Sequence, residues 1–321
     1  MNNFFVFYHA LCIDGFAAAA TLWRALPKAT YRAVHYGTPL PLEGVEQGDT
    51  LYFVDFAPAP AEIANLAKLQ PARVVILDHH ASMIDAYAAA DCPEFQAVLR
   101  SANVELTLDG TRSGAGLTWA HLYPDTPLPY VLACVQDRDL WKFTLPDSRA
   151  FYEYFILFLN KPFSEFNQLV DSVGIVHDGI FATSMGASAY LGLKDITEAL
   201  VEKREVEIQF HLDNCLTEWP FGDSGKLAVV NCHRPITSEL CDHIKDSYDV
   251  VACYFHRKNG SMVSLRSKDY NVRFLAEQLG GGGHKNAAGV ELGFAITPET
   301  LAAMLFDANK ELYAASEAEN G

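Results

Sequence analysis

The chain has no CxxC pair among its seven cysteines, no surplus of positive charge and no apolar run long enough to cross a bilayer. Each lack closes off a class of protein. Cys12, Cys92, Cys134, Cys215, Cys232, Cys241 and Cys253 are scattered along a chain too large to depend on staples, so reduced thiols are expected. With 24 Lys and Arg against 40 Asp and Glu, the net charge of −16 opposes binding to a long polyanion. The apolar stretches Phe16 to Trp23 and Val74 to Leu77 stop well short of the roughly 20 residues that a membrane span needs. Met1-Asn2-Asn3-Phe4 offers no basic region before its apolar run, so this segment reads as a first strand rather than a secretion signal, and a cytoplasmic location is expected.

Half of the 321 residues are hydrophobic and 20% are charged. That is ample material for packed cores, and it excludes wholesale disorder, collagen and coiled coil. The length suggests two domains. Over residues 1–185, strands are predicted at Phe4 to Tyr8, Thr30 to Tyr36, Thr50 to Asp55 and Val74 to Leu77. Helices are predicted at Gly15 to Leu26, Pro60 to Leu69, Gly114 to His121 and Leu128 to Val135. Such βαβ alternation implies an α/β fold around a parallel sheet. Strand signals fade after Phe151, and Leu191 to Leu212 reads as a helix, so residues 186–221 form a predicted helical connector. Trp219-Pro220-Phe221-Gly222 reads as a turn-rich break. A second, smaller α/β domain is expected over residues 222–321, with strands at Leu227 to Asn231, Val250 to Phe255 and Met262 to Leu265, and helices from Ser238 and over Val272 to Leu279. The small polar tail from Ala315 to Gly321 reads as frayed.

Open parallel sheets bind ligands beyond the carboxyl ends of their strands. Here those ends carry His9 through Asp14, then Asp55, then Asp78-His79-His80, and a later helix ends in Gln136-Asp137-Arg138-Asp139. A lone Asp in such a place is usually a cap or turn residue, and a lone His a satisfied core or surface group. Three strand ends that each deliver Asp or His are harder to dismiss, because crowded carboxylates repel unless a cation sits among them. Oxygen-rich donors with a few imidazoles suit Mn or Mg better than Zn. Two such ions about 3.5 to 4 Å apart, bridged by a carboxylate, are a known solution for cleaving phosphate esters.

Asp78-His79-His80 after a hydrophobic strand, with His9 and Asp14 upstream, Asp55 between and Asp137 downstream, resembles the DHH phosphoesterase superfamily. Gly280-Gly281-Gly282-Gly283-His284, followed by Ala287-Ala288-Gly289, is similar to its DHHA1 C-terminal domain. The resemblance covers nearly the whole chain. It implies two Mn2+ ions, with Mg2+ as the alternative, held by His9, Asp14, Asp55, His79 and Asp137, with Asp55 as the bridge. It also implies that Asp78 orients the histidines, and that His80 is either a ligand partner or the acid that protonates the leaving oxygen, the roles of His79 and His80 being exchangeable. The first motif departs from the family's His-x-x-x-Asp-x-Asp, since His9 is followed by Cys12 and Asp14 with no acid at Ile13. It resembles a smaller branch of the family, in which Cys12 is either a soft metal ligand or a packing residue.

The glycine run permits positive φ and close backbone approach, so the amides of Gly281, Gly282 and Gly283 are expected to cradle a phosphate, with His284 donating to it. A flexible linker is the alternative. Between Arg257 and Lys285 there are six Lys or Arg and two acids, a local +4, and Arg266 beside Ser267 is the expected phosphate fork. Ser113, opening Ser113-Gly114-Ala115-Gly116, offers helix amides to an anion or simply caps the helix. Trp141 and Phe143 read as core residues, or as a surface that stacks on a base. The run Phe151-Tyr152-Tyr154-Phe155-Phe158 fits a buried helix face or, alternatively, a homodimer surface. A zinc site from Cys232, His233, Cys241 and His243 is discounted, because Cys241 and His243 would straddle a helix.

The expectation is therefore an Mn-dependent phosphodiesterase, of oligoribonuclease or exonuclease type, that degrades very short single-stranded oligonucleotides or linear dinucleotides to 5′-mononucleotides. The second domain is expected to close over the cleft, and neither a long duplex nor a membrane is expected as a partner. Its rivals are a phosphatase acting on bisphosphorylated nucleotides such as 3′-phosphoadenosine 5′-phosphate, a processive exonuclease, a family II pyrophosphatase and a non-catalytic nucleotide-binding sensor.

Overall fold

The computed structural model describes residues 3–177, 180–222 and 224–320, with side chains up to residue 310. It divides into two compact units, Met1–Val201 and Glu202–Gly321. In the first unit, β1 (Phe4–His9), β2 (Thr30–Val34), β3 (Thr50–Val54), β4 (Arg73–Asp78) and β5 (Val104–Leu108) form an all-parallel sheet in the order β2-β1-β3-β4-β5. Its helices are α1 (Ile13–Ala25), α2 (Pro60–Lys68), α3 (Ala81–Ala90), α4 (Pro93–Ser101), α5 (Gly114–Leu122), α6 (Tyr130–Asp139), α7 (Ser148–Phe155) and α8 (Phe163–Val173). A short hairpin, β6 (Val176–His177) with β7 (Ile180–Phe181), leads to the 32-residue helix α9 (Ser184–Cys215).

The central strands read as unbroken apolar runs because both faces of a parallel sheet are covered. Successive side chains feed two different cores. Val6, Tyr52, Val54, Val75 and Leu77 pack with α1, α5 and α6, while Phe5, Phe7, Leu51, Phe53, Val74 and Ile76 pack with Ile63, Leu66, Tyr87 and Leu99. Phe151, Phe155 and Phe158 lie in the first core. The strand order reverses between β1 and β3, which places the ligand crevice of such a sheet at their carboxyl ends. α3, α4 and β5 leave little trace in the sequence. The two helices bury only Tyr87 and Leu99, and β5 is a half-buried edge, so none of them carries a strong apolar period.

The second unit contains β8 (Leu216–Phe221), β9 (Gly225–Asn231), α10 (Thr237–Ile244), β10 (Val250–Arg257), β11 (Gly260–Arg266), α11 (Val272–Gln278), β12 (Gly282–His284), β13 (Ala287–Leu292) and α12 (Pro298–Asn320). Its sheet runs β12-β13-β11-β10-β9-β8, with only β9 and β10 parallel. The expected break at Trp219-Pro220-Phe221 is strand instead. It escapes a sequence reading because Pro220 sits in an edge strand, where a missing N–H is tolerated. The boundary between the two units falls inside α9, and α12 continues through the tail that was expected to fray, Gly321 lying outside the described residues. Among the described residues, no helix is long and apolar enough to cross a membrane.

Candidate metal centre

β1 ends at His9, β3 delivers Asp55 one residue past its end, and β4 ends at Asp78 with His79 and His80 following. Because β1, β3 and β4 are neighbours in register, these termini converge. Two groups of three donors result, each with its ligand atoms within 4.8 Å of one another: His9, Asp55 and His80 in one, Asp14, His79 and Asp139 in the other. Asp55 lies between them. Its Oδ1 is 3.1 Å from His79 Nε2 and its Oδ2 is 3.5 Å from His9 Nδ1. His79 Nε2 also lies 3.7 Å from Asp14 Oδ2 and 3.3 Å from Asp139 Oδ2. Asp78 is fully buried, with Oδ1 2.7 Å from His80 Nδ1 and Oδ2 accepting the Tyr36 hydroxyl at 2.9 Å. A carboxylate on Nδ1 leaves Nε2 of His80 to serve as the ligand atom and fixes the ring's orientation.

The charges do not balance within the protein. Burial, reinforced by Asp55 and Asp139, raises the Asp14 carboxyl well above its usual range against His79 and Ser113. Burial and Asp55 raise Asp139 as well. Burial would also raise Asp55, but His79, His9 and His80 outweigh it and hold this carboxyl below the usual range. Burial disfavours the charged form of His79, yet Asp55, Asp14 and Asp139 push its pKa up to about 10. At the centre, His9 Nδ1 and Asp55 Oδ2 are buried, stand 3.5 Å apart, and have no hydrogen-bond partner among the described residues. Leaving such atoms unpaired costs about 1–3 kcal/mol each, and their placement on either side of a short gap fits a cation between them. The three carboxylates and three imidazoles fit a pair of divalent ions.

Asp14 is held from the opposite side. Its carboxylate accepts the Gly114 N–H at 2.5 Å and the Ala115 N–H at 3.0 Å, so it occupies the positive end of α5. Of the two readings of Ser113, the structure shows the cap. That residue is fully buried and its Oγ accepts the Gly116 N–H at 3.3 Å as a cap, while the anion at the helix terminus is Asp14 itself. Gly114 is required here, since a Cβ would lie 2.4 Å from Asp55 Cβ and 2.7 Å from its Cα. Asp55 adopts the left-handed region at φ 53°, as strained residues at functional sites often do.

Asp137, expected as a ligand, belongs to neither donor group. Its Oδ1 accepts the Thr144 N–H at 2.9 Å and the Thr144 hydroxyl at 2.6 Å, and its Oδ2 accepts the Leu145 N–H at 3.1 Å and the Ser148 hydroxyl at 2.6 Å. Asp139 takes the place assigned to it. Residues two apart on a helix point to opposite sides, so Gln136-Asp137-Arg138-Asp139 presents one acid to the rim and one away from it. The hydroxyls of Thr144 and Ser148 were the available sequence signal. Cys12 also belongs to neither group, and burial together with Asp55, Asp139 and Asp14 pushes its thiol well up.

In the second unit the glycine run has other duties than an open cradle. The Gly280 and Gly281 N–H groups donate to Glu277 O and Ala276 O and close the end of α11. Gly282 and Gly283 pair with Gly289 and Ala288. A Cβ at Gly281 would lie 2.2 Å from Gly289 O, and one at Gly283 would lie 2.6 Å from Ala287 O, so the glycines serve a tight hairpin. Ser267 is buried, its Oγ accepting the Tyr270 N–H at 2.8 Å. Arg266 Nη1 donates to Leu265 O at 2.9 Å, and His284 lies exposed on β12. His233 and His243 turn to Glu207 and Glu205, whereas Cys232 and Cys241 are buried.

Residues 224–312 match the DHHA1 domain family. An uncharacterized protein of Acanthamoeba polyphaga mimivirus is 27% identical over 315 residues, covering 89% of this chain and 66% of that protein, so the chain spans about two thirds of the length of this curated relative. Among solved structures, the DHH domain of a protein assigned to a family of ribosomal proteins superposes with a TM-score of 0.51 at 13% identity, covering 97% of this chain and 86% of that one. RecJ from Thermus thermophilus in complex with Mn2+ gives 0.46 at 17% identity, covering 98% and 52%. The fold is thus a DHH-type parallel sheet followed by a smaller mixed sheet. Residues 224–312 carry a DHHA1 domain, and the chain shares the fold of a DHH protein.

Two substitutions separate the roles of the acids on α6. Asp139→Ala is expected to weaken Mn2+ binding by more than about tenfold, the lower end of what losing even an outer partner costs, with little change in stability. Asp137→Ala is expected to destabilise the fold by about 2–4 kcal/mol, since several donors lose a charged acceptor, while leaving the donor groups intact. Metal titration and denaturant unfolding of both variants check this division, and reversed effects would refute it. Gly114→Ala is expected to cost about 1–3 kcal/mol by overpacking against Asp55 and to reduce Mn2+ affinity, despite alanine's better helix propensity. A variant with unchanged affinity would show that Asp55 is not held by this contact.

Proposed function

We propose that the chain is an Mn-dependent phosphodiesterase, with Mg2+ as the alternative ion, that hydrolyses very short single-stranded oligonucleotides or linear dinucleotides to 5′-mononucleotides in the cytoplasm. The observation that carries this reading is the pair of adjoining donor triads, with His9 Nδ1 and Asp55 Oδ2 of one triad buried, 3.5 Å apart and without a hydrogen bond among the described residues. His9, Asp55 and His80 would hold one ion and Asp14, His79 and Asp139 the other. Bound divalent ions supply a nucleophile at neutral pH and neutralise charge on the phosphoryl oxygens. The protein's own contribution is to fix the donors. Asp78 sets the tautomer of His80 through Nδ1, and the N-terminus of α5 holds Asp14 in place. With ions bound, His9, His79 and His80 would all be neutral ligands, which would leave the proton for the leaving oxygen to solvent.

Short substrates are favoured because a net charge of −16 repels a long polyanion, while the local +4 between Arg257 and Lys285 suffices for one or two phosphates. Arg266 spends one of its five N–H donors on Leu265 O and retains capacity for a phosphate, and the exposed His284 is its partner in this role.

The test is a panel of dinucleotides, longer oligomers and bisphosphorylated nucleotides incubated with purified protein and Mn2+. Mononucleotide release from dinucleotides is expected, with complete loss on chelation and recovery on adding Mn2+. Asp55→Asn is expected to lower turnover by about a hundredfold or more, beyond the cost of losing an outer-sphere partner. Release of inorganic phosphate from bisphosphorylated nucleotides with no mononucleotide from dinucleotides would overturn the reading in favour of a phosphatase.

A further inference from the structure

The loop after Asp139 has no part in the scheme above, yet it is built with unusual care. Trp141 and Phe143 both occupy the left-handed region, at φ 54° and 49°, a conformation that aromatic residues abandon unless their surroundings impose it. Asp137 imposes it. Besides the four hydrogen bonds its carboxylate accepts, its carbonyl accepts the Lys142 N–H at 2.9 Å. From the other side, Lys142 Nζ donates to Thr111 O at 3.2 Å. Thr111 lies three residues beyond the end of β5, so the loop is tied to the same carboxyl rim that carries the donor triads.

Trp141 is 37% exposed and is not a core residue. Its ring is nevertheless fixed. The Arg138 guanidinium lies 4.2 Å from the Trp141 centroid and 4.2 Å from that of Tyr152. Phe143 meets the indole edge-on at 4.9 Å, and Arg149 stands 4.0 Å over Phe143. Trp141 follows Asp139 by two residues, at most about 7 Å of chain. A pre-ordered, partly open indole backed by arginines and close to a phosphoester-cleaving centre has what base stacking requires, because every base presents a π face and little ordering entropy remains to be lost.

The geometry points to Trp141 as the platform on which the nucleobase beside the scissile phosphate stacks, with Asp137 as its positioning residue. This rests on the phosphodiesterase reading and adds to it that the substrate is gripped by a base as well as by phosphate, without strong preference among bases.

Calorimetric titration of adenosine 5′-monophosphate and ribose 5-phosphate into the Mn-loaded protein tests it. The wild type is expected to prefer the nucleotide. Trp141→Ala is expected to lose roughly tenfold to a hundredfold in nucleotide affinity, with ribose 5-phosphate changed less than about twofold, and Trp141→Phe is expected to retain most of the preference. Asp137→Asn, by loosening the loop, is expected to reduce the preference partway. Equal loss of both ligands in Trp141→Ala, or no loss of either, overturns the proposal. Should Trp141→Ala fail to fold, Asp137→Asn decides, an unchanged preference for the nucleotide over ribose 5-phosphate overturning the proposal. Mn-dependent hydrolysis of methyl p-nitrophenyl phosphate by the wild type separates the two readings. Hydrolysis without nucleotide preference sinks the platform alone, and a Trp141-dependent preference without hydrolysis sinks the phosphodiesterase alone.

Discussion

Three carboxylates, Asp14, Asp55 and Asp139, are crowded with His79 at the rim where the order of the parallel sheet reverses, and the difficulty of keeping negative charge there governs what surrounds it. At an effective dielectric of about 20, like charges about 4 Å apart repel by roughly 4 kcal/mol, a large share of the roughly 5–15 kcal/mol by which a domain is stable. The protein answers only part of this. Imidazoles hold Asp55 ionised, while Asp14 and Asp139 are pushed toward their neutral forms. The remainder is left unanswered by the described side chains, and a bound cation would relieve it and stabilise the fold in the same step.

Two helix starts serve this rim as well as the core. α5 starts against Asp55 because residue 114 has no side chain, and its first amides lie on Asp14. On the other side, a Cβ at Gly15 would lie 2.4 Å from His9 O and 3.1 Å from Asp55 Oδ2. Two glycines therefore flank one carboxylate. Both lie at the starts of helices, where glycine's lower propensity costs little, and they permit an approach that any other residue would block.

The sequence discloses the strands and hides the geometry of single side chains. Val74 to Leu77 and Thr50 to Asp55 are legible because burial on both faces leaves an unbroken apolar run that ends at the polar rim. β5 and β8 are not, because an edge strand needs no such run and β8 tolerates Pro220. The same limit applies within the site. His9, Asp14, Asp55 and His79 stand at or just beyond strand ends, where topology alone brings them together. Asp137 and Asp139 differ only by which face of α6 each occupies, and that depends on how α6 packs. The glycine run was ambiguous in another way, since one composition serves a phosphate cradle and a close hairpin equally well. Only the pairing of Gly282 with Gly289 distinguishes them.

With Asp137 turned to the loop and Asp139 to the rim, α6 serves two purposes at once. One turn of helix carries two acids on opposite sides. Asp139 faces His79, and Asp137 ties down a loop in which two aromatic residues adopt a backbone they would not hold unaided. Each left-handed residue costs on the order of 1–3 kcal/mol, and four charge-assisted hydrogen bonds at about 1.5–3 kcal/mol each can sustain both. Because the two acids share α6, a displacement of that helix would move the donor and the aromatic loop together. Asp139 ends α6 and Trp141 lies two residues on, in the loop that Asp137 of the same helix ties down, so the donor and the indole share one anchor.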